Sequence, residues 1–398
     1  MDTNQVYGGA ERSIMLELKK IITVKKLFLL LGFFGLYFLL VLKPYIRLYP
    51  GSWDMEADFA EDVITQYGRE LLPEEFALLQ AQRPVYEAGE TDIFIAQTPA
   101  YAEMQIYSLK ELLNKINERK LTLEEENRLW FQLYDAVSSE AVYADMERLI
   151  WFDIWDFYMD SYYAKAIQGN SKYENISAMA EKRLTERNQA EVYSPCPSNV
   201  AEYNFMLLRY FAVFMMLGTC FFVMPYMVSE NRSRMPALQY SFKSGRSYYR
   251  SRLAAIAAAV LCIAAVVCAL YACCAKQDRV FTFWNCALSG FASGFVGWFP
   301  WTLGSYTLYI LLLSVLASLG LSLLVFVVTC HLSSHVNAIV WQIPAALCSL
   351  AYGGLLLFKA GEIDKSPLAA PAAGIAIFAA GIAAALLQGR REKRKDIV

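Results

Sequence analysis

The chain has 398 residues, of which 57% are hydrophobic, and a formal net charge of −2. That apolar content is too high for a soluble protein of several domains and indicates a membrane protein. Between Gly51 and Phe205 there are 29 acidic and 13 basic residues, a net charge of −16, so the remainder carries about +14. An acidic outer domain on a membrane body argues against nucleic-acid binding, which requires a basic face. Solvated charge, which any exposed helical domain needs, is the simpler explanation of the acidic residues.

Six apolar stretches are long enough to cross a hydrocarbon layer, which takes roughly 20 residues. They are Leu27–Leu42, Phe205–Val228, Leu253–Ala275, Leu303–Cys330, Val336–Phe358 and Leu368–Leu387. The first is short and is expected to extend into residues 21–24. No small-residue cleavage site follows a short apolar core at the N-terminus, so this first span is predicted to remain as an anchor.

These stretches divide the chain into a series of segments. The predicted boundaries are an N-terminal segment at 1–26, a first span at 27–43, an extracytoplasmic domain at 44–204, a second span at 205–228, a basic segment at 229–252, four further spans within 253–388 and a basic tail at 389–398. The predicted fold class is an all-α integral membrane protein with six transmembrane helices and a helical extracytoplasmic domain.

Basic residues cluster at three places that six spans would bring to one side of the membrane. Lys19, Lys20, Lys25 and Lys26 precede the first span, six Lys/Arg lie between Glu230 and Arg252, and Arg390, Arg391, Lys393, Arg394 and Lys395 follow the last span. The positive-inside rule makes that side cytoplasmic. A cell-membrane protein with both termini in the cytoplasm is therefore predicted.

The domain at 44–204 has helical patterns throughout. Thr122 and Glu125 form a capping box at the start of the run Glu124–Val137, and Pro73 suits a helical first turn. An aromatic-rich helix is predicted over Ala141–Ile167 and a further one over Ser171–Asn188. Aromatic side chains at helical spacing favour a domain core or a surface on lipid headgroups over a ligand pocket.

Some residue patterns leave alternatives open. Asp153, Asp156 and Asp160 share one helical stripe, which fits solvated charge better than a cation or a basic partner. His331 and His335 have a spacing that would suit a metal, although ordinary turn residues are favoured. Cys286 is placed to pair with Cys273 or Cys274 if these residues face the outside. The small residues Gly374, Ala379, Ala380, Gly381, Ala383 and Ala384 of the last span predict close helix contact.

Catalytic signatures are missing from the sequence. It contains no phosphate-binding Gly-x-x-x-x-Gly-Lys-Ser/Thr, no His-Glu-x-x-His and no Gly-x-Ser-x-Gly. Charged residues are nearly absent from the spans, whereas proton-coupled carriers usually bury acids there. We therefore predict no catalytic, cofactor or metal site in this chain and expect energy to come from a partner.

The basic segment is the most informative part of the sequence. Pro236 would begin a short helix that ends near Gly245. Its apolar anchors would be Leu238, Tyr240 and Phe242, and its basic residues Lys243, Arg246, Arg250 and Arg252 would pair with acids of a partner or with anionic lipid. A basic loop resting on headgroups is the alternative.

Two segments resemble a known family. Leu16, Leu18, Lys19 and Lys20 lie in an amphipathic stretch similar to an elbow helix, and Glu230, Leu238, Ser241, Gly245 and Arg246 resemble a coupling segment. The chain thus resembles the permease subunit of a type-2 ABC exporter with a large outer domain between its first two spans. The resemblance implies that the coupling segment, which includes Tyr240, Phe242, Lys243 and Arg250, docks on a separate ABC ATP-binding subunit that holds ATP and Mg²⁺. It also implies a second permease subunit, identical or different, and contact with membrane lipid.

A second class of function is an extracytoplasmic sensor or scaffold that is anchored in the membrane and has no transport activity. Four spans after the outer domain are more than an anchor requires, which favours the transporter. Co-purification with an ATPase discriminates the two.

Overall fold

The computed structural model describes residues 14–43, 52–81, 89–143, 145–146, 149, 177–188, 194–233, 245–288 and 295–394. It divides into two compact units. The first comprises Met1–Arg47, Glu202–Trp284 and Leu303–Val398, and the second comprises Leu48–Ala201 and Asn285–Thr302. The sequence did not predict that residues 285–302 belong with the second unit, where the Leu288 amide donates to the Trp301 carbonyl at 2.8 Å.

The first unit is built from long apolar helices. They are α1 (residues 14–21), α2 (Val24–Tyr37, continued as a π-helix over Phe38–Leu42), α10 (Ser198–Arg232), α11 (Gly245–Gln277), α12 (Leu303–Thr329), α13 (His335–Ser349, continued as a π-helix over Leu350–Leu356) and α14 (Ala369–Arg394). Within the described residues, six helices are long and apolar enough to span a membrane. The chain is therefore an all-α integral membrane protein, as the sequence predicted.

The second span begins earlier than its hydropathy suggested, at Ser198 rather than Phe205. Asn204 lies in this additional part of the helix and is fully buried. Its amide donates to the Thr307 hydroxyl at 2.9 Å, and its carbonyl oxygen accepts from the Tyr271 hydroxyl at 2.5 Å. Because buried polar groups need partners, this pairing between helices lets a polar residue remain in the bundle.

Helices α12 and α14 cross with their backbones in contact. A Cβ atom added to Gly381 would lie 2.3 Å from the Gly320 carbonyl oxygen, closer than any side chain permits. Seven residues before Gly381 along α14, the Tyr352 hydroxyl donates to the Ala370 carbonyl at 3.1 Å, in the space that Gly374 leaves open. The close helix contact predicted from small residues of the last span is thus confirmed at Gly374 and Gly381.

The second unit contains short helices. Its described helices are α3 (Ser52–Tyr67), α4 (Pro73–Ala81), α5 (Glu90–Gln97), α6 (Pro99–Glu103), α7 (Leu109–Asn117), α8 (Leu123–Ala136) and α9 (Ala178–Asn188). Leu112, Leu129 and Leu133 belong to a buried core, and the buried Tyr101 donates its hydroxyl proton to the Leu129 carbonyl at 2.6 Å. Most of the run Ala141–Ile167, including Asp153, Asp156 and Asp160, lies outside the described residues.

The predicted capping box opens α8. The Thr122 hydroxyl accepts from the Glu125 amide at 3.3 Å, and the Glu125 carboxylate accepts from the Thr122 amide at 2.8 Å. These bonds satisfy donors that a helix start otherwise leaves unpaired. The hydrogen bond from the Thr122 backbone lowers the pKa of Glu125.

Replacing Thr122 with alanine should therefore lower the stability of the second unit by about 1 kcal/mol, the usual cost of a lost helix cap. Glu125 accepts its hydrogen bonds when ionised, so its contribution is complete above the ordinary pKa of 4.5 and is lost as the pH falls. The Thr122 hydroxyl also donates to this carboxylate at 2.7 Å, and alanine removes that bond. The difference between the melts of wild type and Thr122→Ala should therefore narrow in acid but persist, because the bond that the hydroxyl accepts from the Glu125 amide does not depend on pH. Gln132→Ala, an exposed change on the same helix, is the control and should melt with wild type.

Candidate functional site

The ends of three helices in the membrane unit meet at a set of paired charges. We define the charge cluster as Glu17 and Lys20 of α1, Tyr226 and Glu230 of α10, and Arg252 of α11. Two of its members that are hydrogen-bonded to each other, Lys20 and Glu230, lie 210 residues apart in the chain. Glu230 and Arg252 flank residues 234–244, the central part of the predicted coupling segment.

Lys20 and Arg252 share one carboxylate in this cluster. The Lys20 ammonium lies 2.9 Å from one oxygen of Glu230, and the Arg252 guanidinium is paired with the other oxygen. Glu230 and Arg252 expose only 7% and 2% of their surfaces. A charge removed from water to this degree is tolerated only when it is paired and hydrogen-bonded, so this geometry holds α10 and α11 together.

Helix α1 is tied to the same point. The Lys20 ammonium lies 2.6 Å from Glu17, whose other carboxylate oxygen accepts from the Tyr226 hydroxyl. Burial alone lowers the pKa of Lys20, but hydrogen bonds to Glu17 and Glu230 outweigh it and raise the pKa above its ordinary value. Lys20 therefore stays protonated at neutral pH and links α1 to α10.

Asn231, the neighbour of Glu230, connects α10 to the end of α12. Its side-chain amide donates to the carbonyl oxygens of Thr329, Cys330 and Leu332 at 3.0, 3.1 and 2.9 Å. These carbonyls lie at the C-terminal end of α12, where backbone acceptors lack helical partners. Asn231 thus caps α12 from the last turn of α10.

Tyr249 makes the equivalent connection from the start of α11. Its hydroxyl donates to the Ala385 carbonyl of α14 at 2.7 Å, and its ring packs on Phe326 of α12 with centroids 5.9 Å apart. Gly389 accommodates this ring, because a Cβ atom there would lie 2.8 Å from it. Both flanks of residues 234–244 are therefore fastened to α12, and the second flank also to α14.

The structure places only part of the predicted site. Leu238, Tyr240, Phe242 and Lys243 lie outside the described residues, Gly245 begins α11, and the side chain of Arg246 is not described. Arg250 is exposed on α11, as are Leu16, Lys19 and Lys20 on α1, where Leu18 is half-buried.

One assignment from the sequence changes and several residues are added. Arg252, expected to face a partner or lipid, is instead buried against Glu230. Glu17, Tyr226 and Asn231 were not predicted as site residues. The spacing of three between Glu17 and Lys20 is the local signal for their ion pair, whereas the contacts of Tyr226 and Asn231 have no local signature.

The structure describes the surroundings of His331 and of three cysteines that the sequence analysis singled out. The Nε2 atom of His331 lies 3.2 Å from the side-chain amide oxygen of Gln388. The described part of the chain contains no group of three or more His, Cys, Asp or Glu side chains that could hold a metal ion. Cys273, Cys274 and Cys286 are free thiols.

Comparison with known proteins gives the family. The model of the family described as "ABC-2 family transporter protein" matches residues 91–381, which is most of the chain. No curated protein and no solved structure matches this chain. The match extends into five of the six predicted spans and includes both flanks of the coupling segment. The chain therefore belongs to the ABC-2 family of transporter proteins and is a multi-pass membrane permease of an ABC transporter.

Proposed function

We propose that this permease works as an exporter, energised by a separate ATP-binding subunit that docks on the segment 230–250, with residues 234–244 at its centre. In this proposal that segment and both termini are cytoplasmic, and residues 44–204 are extracytoplasmic. The three basic clusters support the orientation. ATP and Mg²⁺ are held by the docking subunit, and a second permease subunit, identical or similar, completes the transport path.

The anchoring of both flanks of the docking segment carries this proposal. Asn231 connects the preceding flank to α12, and Tyr249 connects the following flank to α12 and α14. A displacement of the segment by a closing ATPase is transmitted through these contacts to the helices that would line the path. Packed interiors favour such movements between discrete arrangements over continuous deformation.

In this mechanism, helix α1 moves together with the docking segment. Its link through Lys20 to Glu230 couples it to the end of α10. The exposed Met15 and Leu16 and the neighbouring Lys19 are suited to the membrane interface, where an amphipathic helix buries apolar side chains and leaves its cations at the headgroups. The charge cluster thus joins an interfacial helix to the docking segment.

Replacing Leu238, Tyr240 and Phe242 together with alanine tests the docking role. Buried interface anchors commonly cost 2 kcal/mol or more when truncated, roughly thirtyfold in affinity. We expect the triple variant to lose most of its co-purifying ATPase and of the stimulated ATP hydrolysis. The membrane unit should melt as wild type does, since in this proposal the segment serves docking and not the helix core.

Arg250→Ala is the matched control. Arg250 is exposed near the same flank, and a rim charge affects salt dependence more than affinity. Retention and ATP turnover that are unchanged in the triple variant would instead identify the segment as a loop on lipid headgroups and favour the sensor or scaffold.

A further inference from the structure

A groove of about 520 Å³ runs along the membrane unit between α2, α10 and α13. Its volume lies within the range of about 300–1,000 Å³ that is typical of small-molecule sites. Its lining residues are Phe28, Leu29, Leu30, Gly32, Phe33, Leu36, Leu217, Gly218, Phe221 and Gln342. The lining is thus hydrocarbon and aromatic apart from one carboxamide.

Gln342 is the unusual member of this lining. Its Nε2 atom is buried and has no hydrogen-bond acceptor among the described residues. An amide donor left unpaired away from water loses free energy, and hydrocarbon offers it no substitute partner. An apolar side chain would line the groove without this loss, so the unpaired amide points to an occupant that supplies an acceptor.

The groove is open to the hydrocarbon of the bilayer. Phe28, Leu29, Phe33 and Leu36 each expose half or more of their surface. Gln342 is six residues beyond Val336, the start of its span, which places it about 9 Å along the helix axis. A ligand therefore enters the groove laterally from within the membrane.

The chemistry of the lining decides what this ligand is. Among the described residues that line the groove, none is charged, so an ionised headgroup has no partner among them and would have to give up its hydration. We propose that the groove binds an uncharged molecule with a long hydrocarbon body and one hydrogen-bond acceptor, such as an ester carbonyl, which pairs with Gln342. This assignment rests on the proposed transport function and gives the substrate class as membrane-partitioned neutral amphiphiles.

Two photoreactive probes test the assignment on the full chain in lipid nanodiscs. One is hexadecanoic acid methyl ester with a mid-chain diazirine, and the other is the corresponding diazirine-bearing alkane without the ester. A neutral hydrogen bond should make labelling of wild type by the ester exceed that by the alkane roughly 2- to 12-fold. Mass spectrometry should map the adducts to residues 28–36, 217–221 and 342. In Gln342→Leu the two probes should label equally.

A matched pair of glycine variants tests the groove itself. An added Cβ has open space at both Gly32 and Gly35 of α2, but only Gly32 lines the groove. Gly32→Leu should therefore remove most of the labelling, whereas Gly35→Leu should retain it, and both variants should melt as wild type does. Equal labelling of wild type by the two probes, or full labelling of Gly32→Leu, would overturn the proposal.

Two further measurements separate a lipid-like occupant from a second copy of the chain and from a docking defect. If a second copy covers the groove, Phe33→Cys forms an intermolecular disulfide under oxidation, and that result would also overturn the assignment. Retention of the ATPase by Gln342→Leu is expected to be unchanged. Failure of the probe experiment is therefore distinguishable from failure of the docking experiment on residues 234–244.

Discussion

Replacing Glu230 with leucine is expected to destabilise the membrane unit by about 3–5 kcal/mol, the cost of breaking a buried ion pair from one side. Arg252 would be left buried without the Glu230 carboxylate, and Lys20 would lose its ion pair with Glu230. The single change would therefore weaken both the contact of α10 with α1 and that of α10 with α11. Under the proposed function, ATP hydrolysis stimulated by the permease should fall with it.

The thermal midpoint of the purified protein in nanodiscs measures this effect. Arg250→Leu removes an exposed charge of α11 and should leave the midpoint within the error of wild type. The double variant Glu230→Leu/Arg252→Leu should recover part of the loss, because removing both partners leaves no uncompensated guanidinium. A double variant as unstable as the single one would contradict the ion-pair explanation.

Replacing Gly381 with leucine should have the second large effect. The nearest atoms to an added Cβ are backbone atoms of Gly320, which cannot rotate away. Helices α12 and α14 would have to separate, and overpacking that forces the backbone to shift typically costs about 1–3 kcal/mol and occasionally more. We expect the variant to be extracted mostly as aggregate, with a lowered melting midpoint in the remaining fraction.

Ala380→Leu is the control for this variant, because Ala380 is the exposed neighbour on the same helix. Size-exclusion chromatography after extraction compares the aggregated fractions of Gly381→Leu and Ala380→Leu. A monodisperse Gly381→Leu with the wild-type midpoint would show that the two helices tolerate separation. Gly381→Ala should fall between these proteins, since its single added methyl already meets the Gly320 carbonyl oxygen.

The start of the second span shows how tertiary contacts extend a helix beyond the apolar stretch that predicts it. The hydropathy of residues 205–228 predicted the second span, but the helix begins at Ser198, ahead of Phe205. Asn204 is polar by itself, and only its bonds to Thr307 and Tyr271 remove the cost of placing it in the bundle. A local window contains none of these partners.

Local sequence patterns were enough to predict the six spans, the helix cap at Thr122 and the close packing of the last helix at its small residues, because each depends on neighbouring residues. The features used are all local: the length of each apolar stretch, the reciprocal hydrogen bonds between two residues three apart, and the missing side chain at Gly381. The pairing of Arg252 with Glu230, and that of Lys20 with Glu230 across 210 residues of sequence, depends on how the helices pack. The same packing places Gln342 in an apolar groove with no acceptor in reach among the described residues. These partners lie far apart in the chain, and the packing of whole helices, which no periodicity encodes, brings them together.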